Sequence, residues 1–229
     1  MGASIAIVGA GPRGISITER IAAFLNERGG KPLTLHIIDD AQLGAGRIWD
    51  TTQTRTLCMN TLAGAVTLFT EPGATVTAPV FEGPTMFEWL QTPDAPEAFA
   101  DEIRAIRPES NPSRALYGEY LRWVWQVALA QLPDTVEVVE HHARAVSIDE
   151  GTILLDDDTV VHADATVLAT GWVVPAPSPE QEKFAASGLT YIPPGNPVEQ
   201  DVSRIGAGER VLVRGMGMGF FDLMAVTTI

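Results

Sequence analysis

The sequence predicts an α/β fold built on a mainly parallel sheet with a β-meander attached, and three observations carry that expectation. The first forty residues run strand, glycine loop, helix, strand, acid. Short β-like runs separated by turn-prone residues lie between 136 and 162. A further buried strand, 165–169, ends on Ala169-Thr170-Gly171.

Residues 4–8 read as a short, fully buried strand, 15–28 as an amphipathic helix, and 33–38 as a second buried strand that stops on Asp39 and Asp40. The helix carries Ile17, Ile21, Phe24 and Leu25 on one face and Glu19, Arg20, Asn26 and Glu27 elsewhere. Between strand and helix lies Gly9-Ala10-Gly11-Pro12-Arg13-Gly14. In this context Gly9 makes the tight exit from the strand, Gly11 lets backbone approach a pyrophosphate, and Gly14 lets the helix pack on the sheet. The helix N-terminus, with its unpaired N–H groups and positive dipole end, supplies the anion site. Gly9, Gly11, Pro12, Arg13 and Gly14 are therefore candidate phosphate-binding residues, with Arg13 either flanking the pyrophosphate or pointing to solvent. Asp39 is placed to accept hydrogen bonds from a ribose hydroxyl, with Asp40 the runner-up. The acid comes slightly later than the usual spacing of about 20 residues, and the extension 29–32 absorbs the excess.

A net charge of −14 argues against nucleic acid and anionic membranes as partners, so any anionic ligand must be held by local geometry. The apolar run 5–8 is too short for the core of a signal peptide and no stretch approaches a membrane span, which points to a cytoplasmic protein. Its oligomeric state is left open. Cys58, the single cysteine, rules out an intrachain disulfide and is expected to be a small buried thiol.

From 41 to 108 periodicity is lost and Thr, Gly and Pro accumulate, as in long connections rather than a simple strand-helix repeat. Within this stretch Gly44-Ala45-Gly46-Arg47-Ile48-Trp49 is either a second glycine loop beside the ligand, with Arg47 reaching a phosphate, or an irregular surface loop. Asn60 is either a polar contact or a turn residue. Residues 85–91 suggest a short helix whose Phe87, Trp89 and Leu90 join the core. A longer helix is expected over 111–132, with Asn111 as N-cap, Pro112 at its first position and Pro133 as its stop. Its stripe Leu116, Tyr120, Val124 and Val127, flanked by Leu121, Trp125, Ala128 and Leu132, implies burial on two sides.

The runs 136–140, 144–149, 152–155 and 159–162 look like a meander, and the strand 165–169 puts Thr170 and Gly171 at a carboxyl end where backbone can approach a ligand. His141, His142 and His162 lack metal-ligand spacing and read as exposed strand or turn histidines. Residues 173–208 hold many of the prolines and form an extended connection, after which 210–213 reads as a buried strand leading into Arg214-Gly215-Met216-Gly217-Met218-Gly219-Phe220, like the start of a second dinucleotide unit.

Taken together, residues 7–14, 44–49, 57–60, 114–121, 168–172 and 215–222 resemble the amino-terminal part of the two-dinucleotide-binding-domain flavoproteins, and within them a bacterial group of FAD-NAD(P)-binding proteins. The resemblance implies a Rossmann-like FAD-binding fold over 1–172, with an irregular and helical insertion at 41–133. It also implies a Pro-rich connection at 173–208 and, over 209–229, the truncated start of a second dinucleotide-binding unit. By the same resemblance the first glycine loop holds the FAD pyrophosphate, Asp39 the adenosine ribose, and Ala143, in the meander's leading strand, the adenine through its backbone. Thr170 and Gly171 pass near the cofactor. Relatives of this class include flavin monooxygenases that hydroxylate amine nitrogens or oxidise ketones, using a reduced nicotinamide to reduce FAD. The expectation is a flavoprotein belonging to an NAD(P)H-dependent oxidoreductase or monooxygenase with an unassigned small-molecule substrate and no assignable catalytic side chain. Phe220 stands where the second motif would carry a glycine or alanine, so NAD(P)H use is expected only in a longer chain. The alternatives are a plain NAD(P)-dependent dehydrogenase, which needs neither the insertion nor the meander, and a noncatalytic nucleotide-binding or redox-sensing module.

Overall fold

Parallel strand pairing organises the computed structural model, which describes residues 2–228. Strand β1 (Ala3–Val8) leads through the glycine loop into α1 (Pro12–Arg28), and β2 (Leu33–Ile38) returns parallel to it, Ala3 opposite Leu33 and Val8 opposite Ile38. An irregular stretch then gives way to α2 (Met86–Trp89), a 3-10 turn at Glu97–Phe99, α3 (Ala100–Ala105) and α4 (Arg114–Ala130). Strand β3 (Val136–His141) follows, then β4 (Ala145–Asp149), β5 (Thr152–Leu155) and β6 (Val160–His162), and β7 (Ala165–Leu168). Beyond it come α5 (Pro179–Ala185), 3-10 turns at Pro197–Glu199 and Val202–Arg204, and α6 (Met218–Thr227). The main sheet has the order β3-β2-β1-β7, all parallel, while β4-β5-β6 form a three-stranded antiparallel meander.

Alternation along the strands divides the core in two. Ile7, Leu35 and Ile37 face α1 and α4 and join Trp89, Tyr120 and Trp125 in the larger cluster, whereas Ala6, Val8 and Ile38 face the meander's Ile153, Leu155 and Val161. The inner strand β1 is apolar from Ile5 to Val8, as a strand covered on both faces must be, whereas β2 carries Thr34 and His36 at its half-buried positions.

Several expectations change in three dimensions. Residues 136–140 belong to the parallel sheet and not to the meander, with Leu33 opposite Val136. The long crossover that parallel pairing requires is the segment closed by α4, and strand periodicity carries no information about which partner a strand finds. Ala143 therefore lies in the bend between β3 and β4 rather than in a strand. The N-cap of α4 is Ser113, whose hydroxyl accepts from Leu116 N at 3.2 Å, and not Asn111. Pro112 is held outside the helix because its carbonyl accepts from Met59 N at 2.8 Å. Cys58 is exposed, not buried: the bridge between Cys58 and Ser113 sends Leu57 and Met59 inward and turns the residue between them out. Residues 210–213 form no strand, and Leu212 is 97% exposed.

Of the histidines, His141 is half-buried rather than exposed, with Nε2 3.0 Å from Nδ1 of His36 on the neighbouring strand. Burial pushes both imidazoles below their ordinary value, so the pair shares one hydrogen bond as neutral rings at pH 7. Among the described residues no helix is long and apolar enough to cross a membrane.

Helix α4 runs so close to the 49–51 loop that a side chain at Gly118 would collide with the Trp49 carbonyl oxygen. Replacing a mid-helix glycine by alanine ordinarily stabilises by about 0.5–1 kcal/mol, but overpacking costs about 1–3 kcal/mol. The collision is with backbone and dominates, so Gly118→Ala is expected to lower stability, read as a reduced urea midpoint at unchanged slope.

Candidate dinucleotide site

Separate backbone segments converge at the carboxyl end of β1. Gly9 adopts φ +104 and donates to Ile38 O at 2.8 Å, while Ala169 N donates to Val8 O at 2.7 Å. The two segments are so close that any side chain on Gly9 would run into the Ala169 carbonyl. A Cβ at Gly14 would lie 2.5 Å from the Gly9 carbonyl oxygen, so the first turn of α1 rests directly on the loop. Gly44 N then donates to Ala10 O at 2.8 Å, which brings the second glycine loop against the first.

Gly11 is different. Its backbone, φ −75 and ψ −162, suits any residue, and an added Cβ would find its nearest neighbour, Gly46 Cα, at 3.9 Å. Neither conformation nor packing within the protein calls for glycine there. The open space lies at the start of α1, where Gly11 is the N-cap, Pro12 is the first helical residue and the first turn carries no acid. Among the described residues no side chain caps this helix start. Free N–H groups, a positive dipole end and a missing side chain together fit a pyrophosphate.

The two acids separate. Asp39 is bound into the loop, its Oδ2 accepting from Ala10 N at 2.6 Å and its Oδ1 from Ala41 N at 2.9 Å. An ionised carboxylate offers about four acceptor positions, so Asp39 shapes the loop and retains capacity for a ligand hydroxyl. Asp40 is held by Arg144, whose Nε and Nη2 donate to it at 2.9 and 2.6 Å. The neighbouring carboxylate raises the Arg144 guanidinium above its usual value.

Of the remaining candidates, Gly46 faces Gly11, and Arg47 donates to Trp172 O and to Glu199, each at 3.1 Å. Thr170 and Gly171, the latter at φ +68, leave the end of β7 beside Gly9, exposed. Ala143 is buried with Val8 and Ile38. Arg13 is exposed. Asn60 sits in a bend of the strip that bridges to the start of α4, accepting from Thr61 Oγ1 at 3.4 Å, and is exposed. Contacts thus bring Gly9, Gly11, Gly14, Asp39, Gly46, Arg47, Thr170 and Gly171 to one end of the sheet. Sequence reasoning named Gly44 only as part of the second glycine loop and passed over Arg144 and Glu199, which are known only through partners distant in the chain.

A parallel sheet whose central strand ends in such a loop, beneath a helix start left open for an anion, defines a nucleotide-binding α/β protein. Residues 6–173 match the family model described as FAD-NAD(P)-binding, and the chain belongs to that family. The FAD expected from the sequence agrees with it. The chain is 36% identical to an L-aspartate N-monooxygenase (nitrosuccinate-forming) of Streptomyces davaonensis, over 98% of its own length and 38% of the relative's. It is 37% identical to a nitrosuccinic acid synthase of Aspergillus oryzae, over 99% of its own length and 35% of the relative's. It therefore spans well under half of these relatives. A lysine monooxygenase of Nocardia farcinica superposes with a TM-score of 0.44 at 16% identity, over 73% of this chain and 54% of that one.

Since the protein itself leaves Gly11 free, Gly11→Val is expected to fold normally yet lose FAD affinity by about tenfold or more, equivalent to about 1.4 kcal/mol or more. Circular dichroism and a flavin titration on the same sample check both halves. For the acids, Asp39→Ala is expected to weaken FAD binding by about 1.5–3 kcal/mol and Asp40→Ala by clearly less. Titration of the two variants side by side decides between them.

Proposed function

We propose that this chain is the FAD-binding portion of a flavin-dependent monooxygenase that oxidises the amine nitrogen of a small amino acid, with L-aspartate the first substrate to try. The observation that carries the reading is identity of 36% and 37%, along nearly the whole chain, to enzymes named for aspartate N-oxygenation and nitrosuccinate synthesis. In this reading residues 1–172 form the FAD-binding domain, 41–133 its insertion, 173–208 the connection and 209–229 the start of a second dinucleotide-binding unit. NADPH or NADH is used by the longer protein. The acidic surface goes with a small-molecule partner and not nucleic acid, and the setting is the cytoplasm.

When bound, FAD supplies the electron transfer from reduced nicotinamide to oxygen, and the protein supplies position and electrostatics. The Gly9–Gly14 loop and the first turn of α1 hold the pyrophosphate with backbone N–H groups, so an acidic chain binds an anion without a cluster of lysines. Asp39 orients the adenosine ribose from a carboxylate already fixed by Ala10 and Ala41. The Asp40–Arg144 pair borders the adenosine end, with Ala143 presenting backbone to adenine. Gly46 keeps the second loop thin beside the phosphates, and Arg47, held by Glu199, adds positive charge next to Trp172. Thr170 and Gly171 offer backbone at the end of β7.

The test is a flavin assay on the purified chain followed by turnover of the longer protein. A yellow preparation that releases FAD on denaturation, and L-aspartate-stimulated NADPH oxidation with an N-oxygenated product by mass spectrometry, are expected. A colourless protein that binds nicotinamide dinucleotide instead would overturn the reading.

A further inference from the structure

Helix α6 is anchored through one charged residue. Of its residues only Asp222 is buried, at 8% exposed, while Met218, Phe221 and Met224 are about half exposed. Asp222 Oδ2 accepts from Arg114 Nη2 at 2.7 Å, and the two side chains are 10% and 13% exposed. Arg114 is held independently of α6: its backbone N donates to Leu57 O at 2.8 Å and its Nε to Cys58 O at 3.2 Å. It is also the first residue of α4, where a cation opposes the helix dipole, so its placement is not explained by the helix it begins. That end already has its own carboxylate, since Glu102 accepts from Ser113 N and Oγ at 2.8 and 3.0 Å. Arg114 therefore presents a fixed, desolvated guanidinium, and the carboxylate it receives comes from the far end of the chain. A second ion pair between the two regions among the described residues, Arg47–Glu199, reaches the 3-10 turn that packs against α6 and is far more exposed and so more readily screened.

We propose that Asp222, through Arg114, docks the carboxyl-terminal glycine loop, Gly215 to Gly219, onto the FAD-binding body and sets its position relative to the Gly9–Gly14 loop. The proposal rests on reading residues 209–229 as the start of a second dinucleotide unit. The loop leads straight into α6: Gly217 is the helix N-cap and Gly215 has φ +117, so fixing Asp222 one turn into the helix fixes the glycines that precede it. A ten-residue helix has little stability alone, which makes its order depend on this contact.

The experiment is hydrogen exchange on the 229-residue chain carrying Asp222→Ala, Arg114→Ala or both, with FAD titration of the same proteins. Each single variant is expected to speed exchange of the α6 amides by about tenfold or more while those of β1 and β2 keep their protection, and the double variant is expected to exchange about as fast as either single one. FAD affinity is expected to stay within about twofold. Unchanged exchange in Asp222→Ala, or a double variant in which the two effects simply add, would overturn the docking role. A loss of FAD affinity in step with the exchange would overturn it too, by showing that the pair supports the first site. Failure of the unmutated chain to bind FAD would count against the flavoprotein reading alone.

Discussion

The contact on which the rest of the structure depends is the approach of β7 to β1 at Gly9. Only a residue without a side chain lets the Ala169 carbonyl come so near, and only a residue tolerant of φ +104 lets the chain leave the strand at that angle. A side chain forced into such a backbone conformation costs about 1–3 kcal/mol, against a net domain stability of about 5–15 kcal/mol, before any clash is counted. Because Gly9 and Gly14 absorb these constraints, β2, β7 and α1 meet at one point. The glycine loop is thereby a rigid product of the sheet rather than a mobile connector.

The second organising theme is charge. A chain of net charge −14 that hosts a dinucleotide must keep unpaired negative side chains from the phosphates, and the acids around the proposed site each have a protein partner. Asp39 spends its charge on the N–H groups of Ala10 and Ala41, Asp40 on Arg144, and Glu199 on Arg47. Screening over about 8 Å at physiological ionic strength makes distant acids nearly irrelevant, so local pairing suffices. The first turn of α1, left without acids, then presents uncompensated N–H groups.

The carboxyl-terminal region is built on different terms. In the body, Trp89, Tyr120 and Trp125 are fully buried, whereas Leu189, Leu212 and Met216 are 77%, 97% and 79% exposed. With so little apolar contact at these positions, the polar contacts the region makes weigh more, and Arg114–Asp222 is the pair proposed to place α6. Such a pair is costly to desolvate and serves placement better than stability.

By itself the sequence determined whatever local pattern can specify. The apolar runs, the helical stripe of α4, the glycine spacing and the acid after β2 were all readable, because strand and helix periods and glycine's missing side chain act within a few residues. It also singled out Gly11, where neither backbone conformation nor packing within the protein calls for glycine. Tertiary structure alone decided the rest. It gave β3 a parallel partner in β2, made Ser113 and not Asn111 the cap, turned Cys58 outward, paired His36 with His141, and divided Asp39 from Asp40 by handing the second to Arg144. Each of these rests on a partner far along the chain, Glu102 and Leu57 for the start of α4 and the 144 position for Asp40. Such partners are chosen by how the packed sheet brings distant segments together, which no local propensity encodes.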